Sequence, residues 1–252
     1  MRENTPNLIF CSLAFTLAEV LITLGIIGVV AALTIPTLVQ EKAKQETVAG
    51  YKKAYSTLVQ AVKLSEVDNG SIDSWTFPDT MSDNNQGLLF AQTYLVPYLR
   101  ITKKCELTTG CFANMKTLYG TSIAPINVQY VLSDGSAIFI MNDGYSFAPA
   151  NVGRIELFFD INGSKNPNII GKDIFVFDIV PQAAAIYNAG NGDLLWNIKI
   201  GGVYPDGYGT NISGSSYTYR GCGSDVTGST AGRSCGMKIV QDGYQIKSDY
   251  PW

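Results

Sequence analysis

Ser12 to Leu38 reads SLAFTLAEVLITLGIIGVVAALTIPTL, and it is the most apolar part of the chain. Glu19 is the one ionisable side chain in it. From Val20 to Gln40 there is no charged residue at all. As a helix, that run is about 31 Å long, the thickness of a bilayer core. A cleaved secretory signal is the rival reading, but its apolar region would span only about 7–15 residues before a small-residue cut site. Here the apolar run starts at Leu8, continues past Ile35 and carries an acid in its middle. A membrane-spanning helix is therefore the expectation.

Beyond Gln40 the pattern changes and the helix continues. Val48, Tyr51, Tyr55, Leu58 and Val62 recur at steps of three and four, so they share one face. Lys42, Lys44, Lys52, Lys53 and Lys63 fall mostly elsewhere. Asp68-Asn69-Gly70 is a stop signal. Pro36 removes a backbone donor and crowds the preceding turn, so a bent or loosened junction is expected there. Gly25 and Gly28 lower helix propensity just before it.

The remainder reads as one globular domain. Asn85 to Arg100 predicts a short helix ending near Pro97. INVQYVLSDGSAIFIM predicts a hairpin turning at Ser133-Asp134-Gly135-Ser136. RIELFFDI, DIFVFDIV, AAAIYNAG and LLWNIKI follow, which makes an antiparallel sheet of five or six strands. Tyr204 to Gly236 reads as a long loop. The tail from Met237 is apolar enough to dock. The fold class is therefore α+β: a long N-terminal helix, apolar and then amphipathic, packed on an antiparallel sheet. The expected division is 1–14, 15–67 and 68–252.

The chain has 252 residues, 46% hydrophobic and 15% charged, with a net charge of −3 and no histidine. That composition gives no basic footprint for nucleic acid. It also removes histidine triads and histidine metal sites. Cys11 lies in the extreme N-terminal segment. Cys105 and Cys111 form one local pair, and Cys222 and Cys235 a second. Two disulfides in an oxidising compartment are expected, with four separate thiols as the alternative.

Asp160, Asn162, Asn166 and Asp173, in DINGSKNPNIIGKD, offer oxygen ligands of the kind calcium takes. The spacing is not that of an EF-hand, because glycine comes fourth and Lys165 sixth. A plain turn between strands is the other reading, so the cofactor expectation is calcium or none. Glu156 and Asp178 join Asp160 and Asp173 as candidate acids, with solvation at strand ends the simpler account. No nucleophile–base set is apparent, and the chain is not expected to be an enzyme.

Ala14, Phe15-Thr16-Leu17, Glu19, the apolar run to Ile35 and Pro36 stand in the register of a known pattern. This segment resembles the processing and assembly segment of type IV pilins and type II secretion pseudopilins. Ala14 occupies the position where that family usually has glycine. The resemblance implies a leader, residues 1–14, cut from Phe15 by a prepilin peptidase that also N-methylates Phe15. It implies insertion in the bacterial cytoplasmic membrane with the domain outside, and extraction by an inner-membrane assembly platform. The subunit would then join like or related subunits in a helical filament in the periplasm or on the cell surface. Phe15, Glu19, Gly25, Gly28 and Pro36 would serve assembly, with Glu19 paired to the terminal amine of a neighbouring Phe15. The alternative is a membrane-anchored binding or adhesion protein whose helix is only an anchor.

Overall fold

The computed structural model describes residues 16–80, 83–124, 128–142, 153–181, 184–187, 194–198, 200–209, 221–223 and 225–252. Helix α1 runs from Leu17–Asn69, unbroken at Pro36. The loss of one backbone donor does not end the helix in this strongly apolar setting. The chain divides into two compact units within α1, at Ala43 and Lys44. In the first unit the apolar side chains are exposed: Leu17 is 79% exposed and Leu33 72%. This part of α1 is long and apolar enough to span a membrane.

The second unit is an α+β domain. Its sheet has six strands, all antiparallel, in the order β1 (Ile101–Cys105), β4 (Val128–Leu132), β5 (Ala137–Asn142), β6 (Ile155–Asp160), β7 (Ile174–Val180) and β10 (Gly202–Pro205). β2 (Met115–Lys116) and β3 (Ser122–Ile123) pair separately, as do β8 (Ala184–Tyr187) and β9 (Leu194–Ile198). The β8–β9 pair corrects the sequence expectation, which placed both in the main sheet. The edge of β7 away from β6 is taken by β10, and among the described residues β8 and β9 pair with each other and not with the main sheet.

Alternation along the strands sorts side chains onto two buried faces. Tyr130, Ile138, Leu157 and Phe177 meet Tyr51, Ala54, Leu58 and Val62 of α1. Tyr51 stacks on Phe177 at 5.6 Å and meets Phe175 edge-on at 5.0 Å. Phe139, Phe158 and Val176 face the other way, onto Phe112 and Met115. Both faces of β6 and β7 are therefore covered, which is why these strands are buried at every residue.

Helix α2 (Asn84–Tyr94) is capped by Asp83, whose carboxylate accepts from Asn85 N and Gln86 N. Asp83→Ala is expected to cost about 1 kcal/mol, lowering the melting temperature by about 2–4 °C. The tail docks as expected. It does so through a helix the sequence reading missed, α3 (Cys235–Gln241), which begins inside the segment read as loop. Gly236 lies so close to Tyr51 that a Cβ there would stand 2.9 Å from its ring.

Candidate functional site

Three arrangements carry chemistry. The first is at the start of α1. Glu19 Oε2 accepts from the Thr16 N–H at 2.8 Å and from Thr16 Oγ1 at 2.8 Å, while Glu19 N donates to Thr16 Oγ1 at 3.2 Å. This is a capping box, in which two otherwise orphaned helix-end donors are satisfied reciprocally. The sequence carried its signal as Thr16-x-x-Glu19, which the reading of Glu19 by charge alone missed. Ala14 and Phe15 lie outside the described residues. A Cβ on Gly25 or Gly28 would meet nothing within 4 Å, so no packing within the described chain calls for glycine there.

The second arrangement is an ion network on the sheet face away from α1. Glu156 and Asp178 stand directly opposite in β6 and β7. Both are fully buried in mid-strand, which corrects the strand-end expectation. Arg154 Nη1 donates to Asp178 Oδ1 at 2.5 Å, and its Nη2 is 3.7 Å from Glu156 Oε1. Arg233 Nη1 reaches both Glu156 oxygens at 2.6 Å. Ser234 Oγ donates to Asp206 at 2.6 Å. Oxygens of Glu156, Asp178 and Asp206 lie within 4.8 Å of one another. Two guanidinium groups answer most of that negative charge, so the cluster reads as a structural ion network. Arg233 and Asp206 come from segments remote in sequence, and no spacing pattern links them to Glu156.

The third is the β6–β7 connection. Asp173 Oδ1 accepts from Ile169 N at 2.7 Å, and its Oδ2 from Asn168 N at 2.8 Å and Asn162 Nδ2 at 3.3 Å. Asp160 Oδ1 accepts from Asn162 N at 3.1 Å. Of the four predicted ligands, Asp160, Asn162 and Asp173 therefore come together. Asn166 does not: it is exposed, and its Oδ1 accepts from Asn168 Nδ2. Asn168 takes the inward place. Its φ of +52° lies in the left-handed region that asparagine tolerates, and its side chain is buried. Burial, reinforced by the facing Asp173 carboxylate, raises the Asp160 carboxyl to about 8 against the pull of the Asn162 and Gly163 N–H groups. Burial raises Asp173 as well.

The two expected disulfides are present, Cys105–Cys111 and Cys222–Cys235. The second joins the segment before α3 to its first residue. The first closes the loop after β1, where Gln129 Oε1 accepts from Cys111 N at 3.1 Å and Phe112 N at 2.9 Å.

Fold and sites together define an α+β protein whose N-terminal helix is able to span a membrane. Residues 37–252 match the model of a family described as a family of unknown function (DUF6613), and the chain belongs to that family. No curated protein and no solved structure matches it.

Proposed function

We propose that this chain is a structural subunit, a pilin or pseudopilin, of a type IV pilus-like or type II secretion filament. A prepilin peptidase cuts between Ala14 and Phe15 and methylates the new amine. The subunit then sits in the cytoplasmic membrane with its disulfide-bonded domain outside. An inner-membrane assembly platform moves it into a helical filament of like or related subunits. Such growth is a heterologous, non-closing contact.

One observation carries this reading: a helix with an uncovered apolar surface opens at Leu17, at the end of the Ala14-Phe15-Thr16-Leu17 stretch, with Glu19 in its first turn closing a capping box on Thr16. Gly25 and Gly28 support it, because glycines with no intrachain packing role suit the close approach of other helices. The test is mass spectrometry of the mature N-terminus. A chain beginning with N-methylated Phe15 is expected. A chain beginning at Met1, or cut after Ala32, would overturn the proposal, and a Met1 start would favour a simple anchored binding protein.

A further inference from the structure

A cavity of about 450 Å³ lies between residues 76–79 and α2. That volume falls within the range of about 300–1,000 Å³ in which small molecules bind. Its walls are Phe77, Pro78, Leu89, Phe90 and Tyr94, and they are held from behind. Trp75 stacks on Tyr94 at 4.5 Å and is itself fixed by its Nε1, which donates to Gly70 O at 2.8 Å. Phe90 meets Phe77 at 4.9 Å and Tyr94 at 5.0 Å. Thr76 N donates to the Tyr94 hydroxyl oxygen at 3.1 Å, and Gly153 lies against Pro78 O too closely for any Cβ. Packed rings and fixed backbone therefore preform the cavity. Polarity is graded along it: Phe90 and Pro78 are buried, whereas Asp79 is exposed.

Among the described residues, Asp79 is the one charged side chain that lines the cavity. Gln86 Nε2 donates to Asp79 Oδ1 at 2.6 Å and Thr80 Oγ1 to the same oxygen at 3.0 Å, while Asp79 N donates to Gln86 Oε1 at 2.9 Å. The carboxylate is thus fixed through Oδ1, and no other described residue donates to Oδ2. These donors hold the carboxyl below the usual carboxylate range, so it is charged at neutral pH. The surroundings have the same sign. From Leu64 to Leu99 the sequence carries Glu66, Asp68, Asp73, Asp79 and Asp83, and no lysine or arginine. A cleft in such a field attracts cations and repels anions.

We infer that the cavity binds a small organic amine, an ammonium on an apolar body, with the body against Phe77, Leu89, Phe90 and Tyr94 and the charge at Asp79 Oδ2. The aromatic walls add to the attraction, since ring faces draw cations. The order of polarity selects a free amine over a lysine side chain of another protein. Lysine would bring its charge in first, onto the apolar floor, and leave its polar backbone at the mouth. The inference is independent of the filament reading, since it concerns the folded domain alone.

The test titrates the full chain, in an uncharged detergent, with phenethylammonium chloride. 2-Phenylethanol and phenylacetate serve as uncharged and anionic probes of similar shape, and empty micelles as the blank. Calorimetry and saturation-transfer NMR read the binding. Phenethylammonium should bind at one site per chain, about tenfold tighter than 2-phenylethanol, because a hydrogen bond to a charged group contributes on that scale. Phenylacetate should not bind. Rising salt should weaken the amine and leave the alcohol unchanged. Asp79→Asn keeps an oxygen for Gln86 and Thr80 and removes the charge, so it should lower amine affinity about tenfold and spare the alcohol. Leu89 is 65% exposed, so Leu89→Lys leaves the core intact and should abolish amine binding by placing a cation at the mouth. Circular dichroism and intact disulfides check the folding of both variants. Absence of amine binding at millimolar concentration, equal affinity for the alcohol, or undiminished binding by folded Asp79→Asn protein would overturn the inference. Tighter binding of N-acetyl-lysine methylamide than of phenethylammonium would overturn it too, by moving the occupant to a protein partner.

Discussion

Replacing Arg154 by methionine is expected to destabilise the domain by about 3–5 kcal/mol, seen as a fall in melting temperature of about 6–20 °C. Arg154 is 1% exposed and lies against Asp178 at 2.5 Å and Glu156 at 3.7 Å. Methionine approximates its volume and removes its charge. Asp178 then keeps a buried carboxylate without its closest cation, and removing one partner of a buried pair costs far more than the pair contributes. The same logic makes the effects of paired changes non-additive. Asp178→Asn should be destabilising alone, and Arg154→Met combined with Asp178→Asn should cost clearly less than the sum of the two. Thermal melts of the three variants decide this. Simple additivity would mean that the two side chains do not depend on one another.

Glu19→Gln is expected to leave membrane insertion intact and to reduce filament incorporation by about 60- to 300-fold. The filament reading pairs the Glu19 carboxylate with the amine of a neighbouring Phe15. An unpaired charge among apolar helices costs about 2.5–3.5 kcal/mol, and every 1.4 kcal/mol is about tenfold. Glutamine is chosen because the capping box accepts it at this position. The contact with Thr16 is kept and only the charge is lost. Thr16→Ala makes the opposite change, weakening the cap and leaving the charge. Quantifying sheared filaments against membrane-resident subunit separates the two roles. If Thr16→Ala fails and Glu19→Gln assembles normally, Glu19 serves the helix end and not the contact between subunits.

Much of the architecture was legible because its periodicities are strong. The face carrying Tyr51, Leu58 and Val62 was visible as steps of three and four, and these residues do enter the core. The β4–β5 hairpin was visible as alternation around Asp134-Gly135, and Gly135 does take a φ of +86° at the turn. The β8–β9 pair was misassigned because alternation reports a strand and not its neighbour. Helix α3 was missed because it occupies only Cys235–Gln241, too short to show a period within a glycine-rich region.

The sites divide along the same line. Local chemistry was readable: the acid at the start of α1, the two cysteine pairs, and a loop rich in side-chain oxygens. The sequence by itself therefore determined a long two-natured helix, an antiparallel domain and their order, since each rests on neighbours within a few turns or one hairpin. Only the tertiary structure decided which oxygens face inward. Asn168 displaces Asn166 because the backbone at that residue turns left-handed, and no spacing rule states that. It also decided that Glu156 and Asp178 are buried beside Arg154 and Arg233. Burial of a charge depends on what covers the sheet, and here the cover comes from segments far away in the chain.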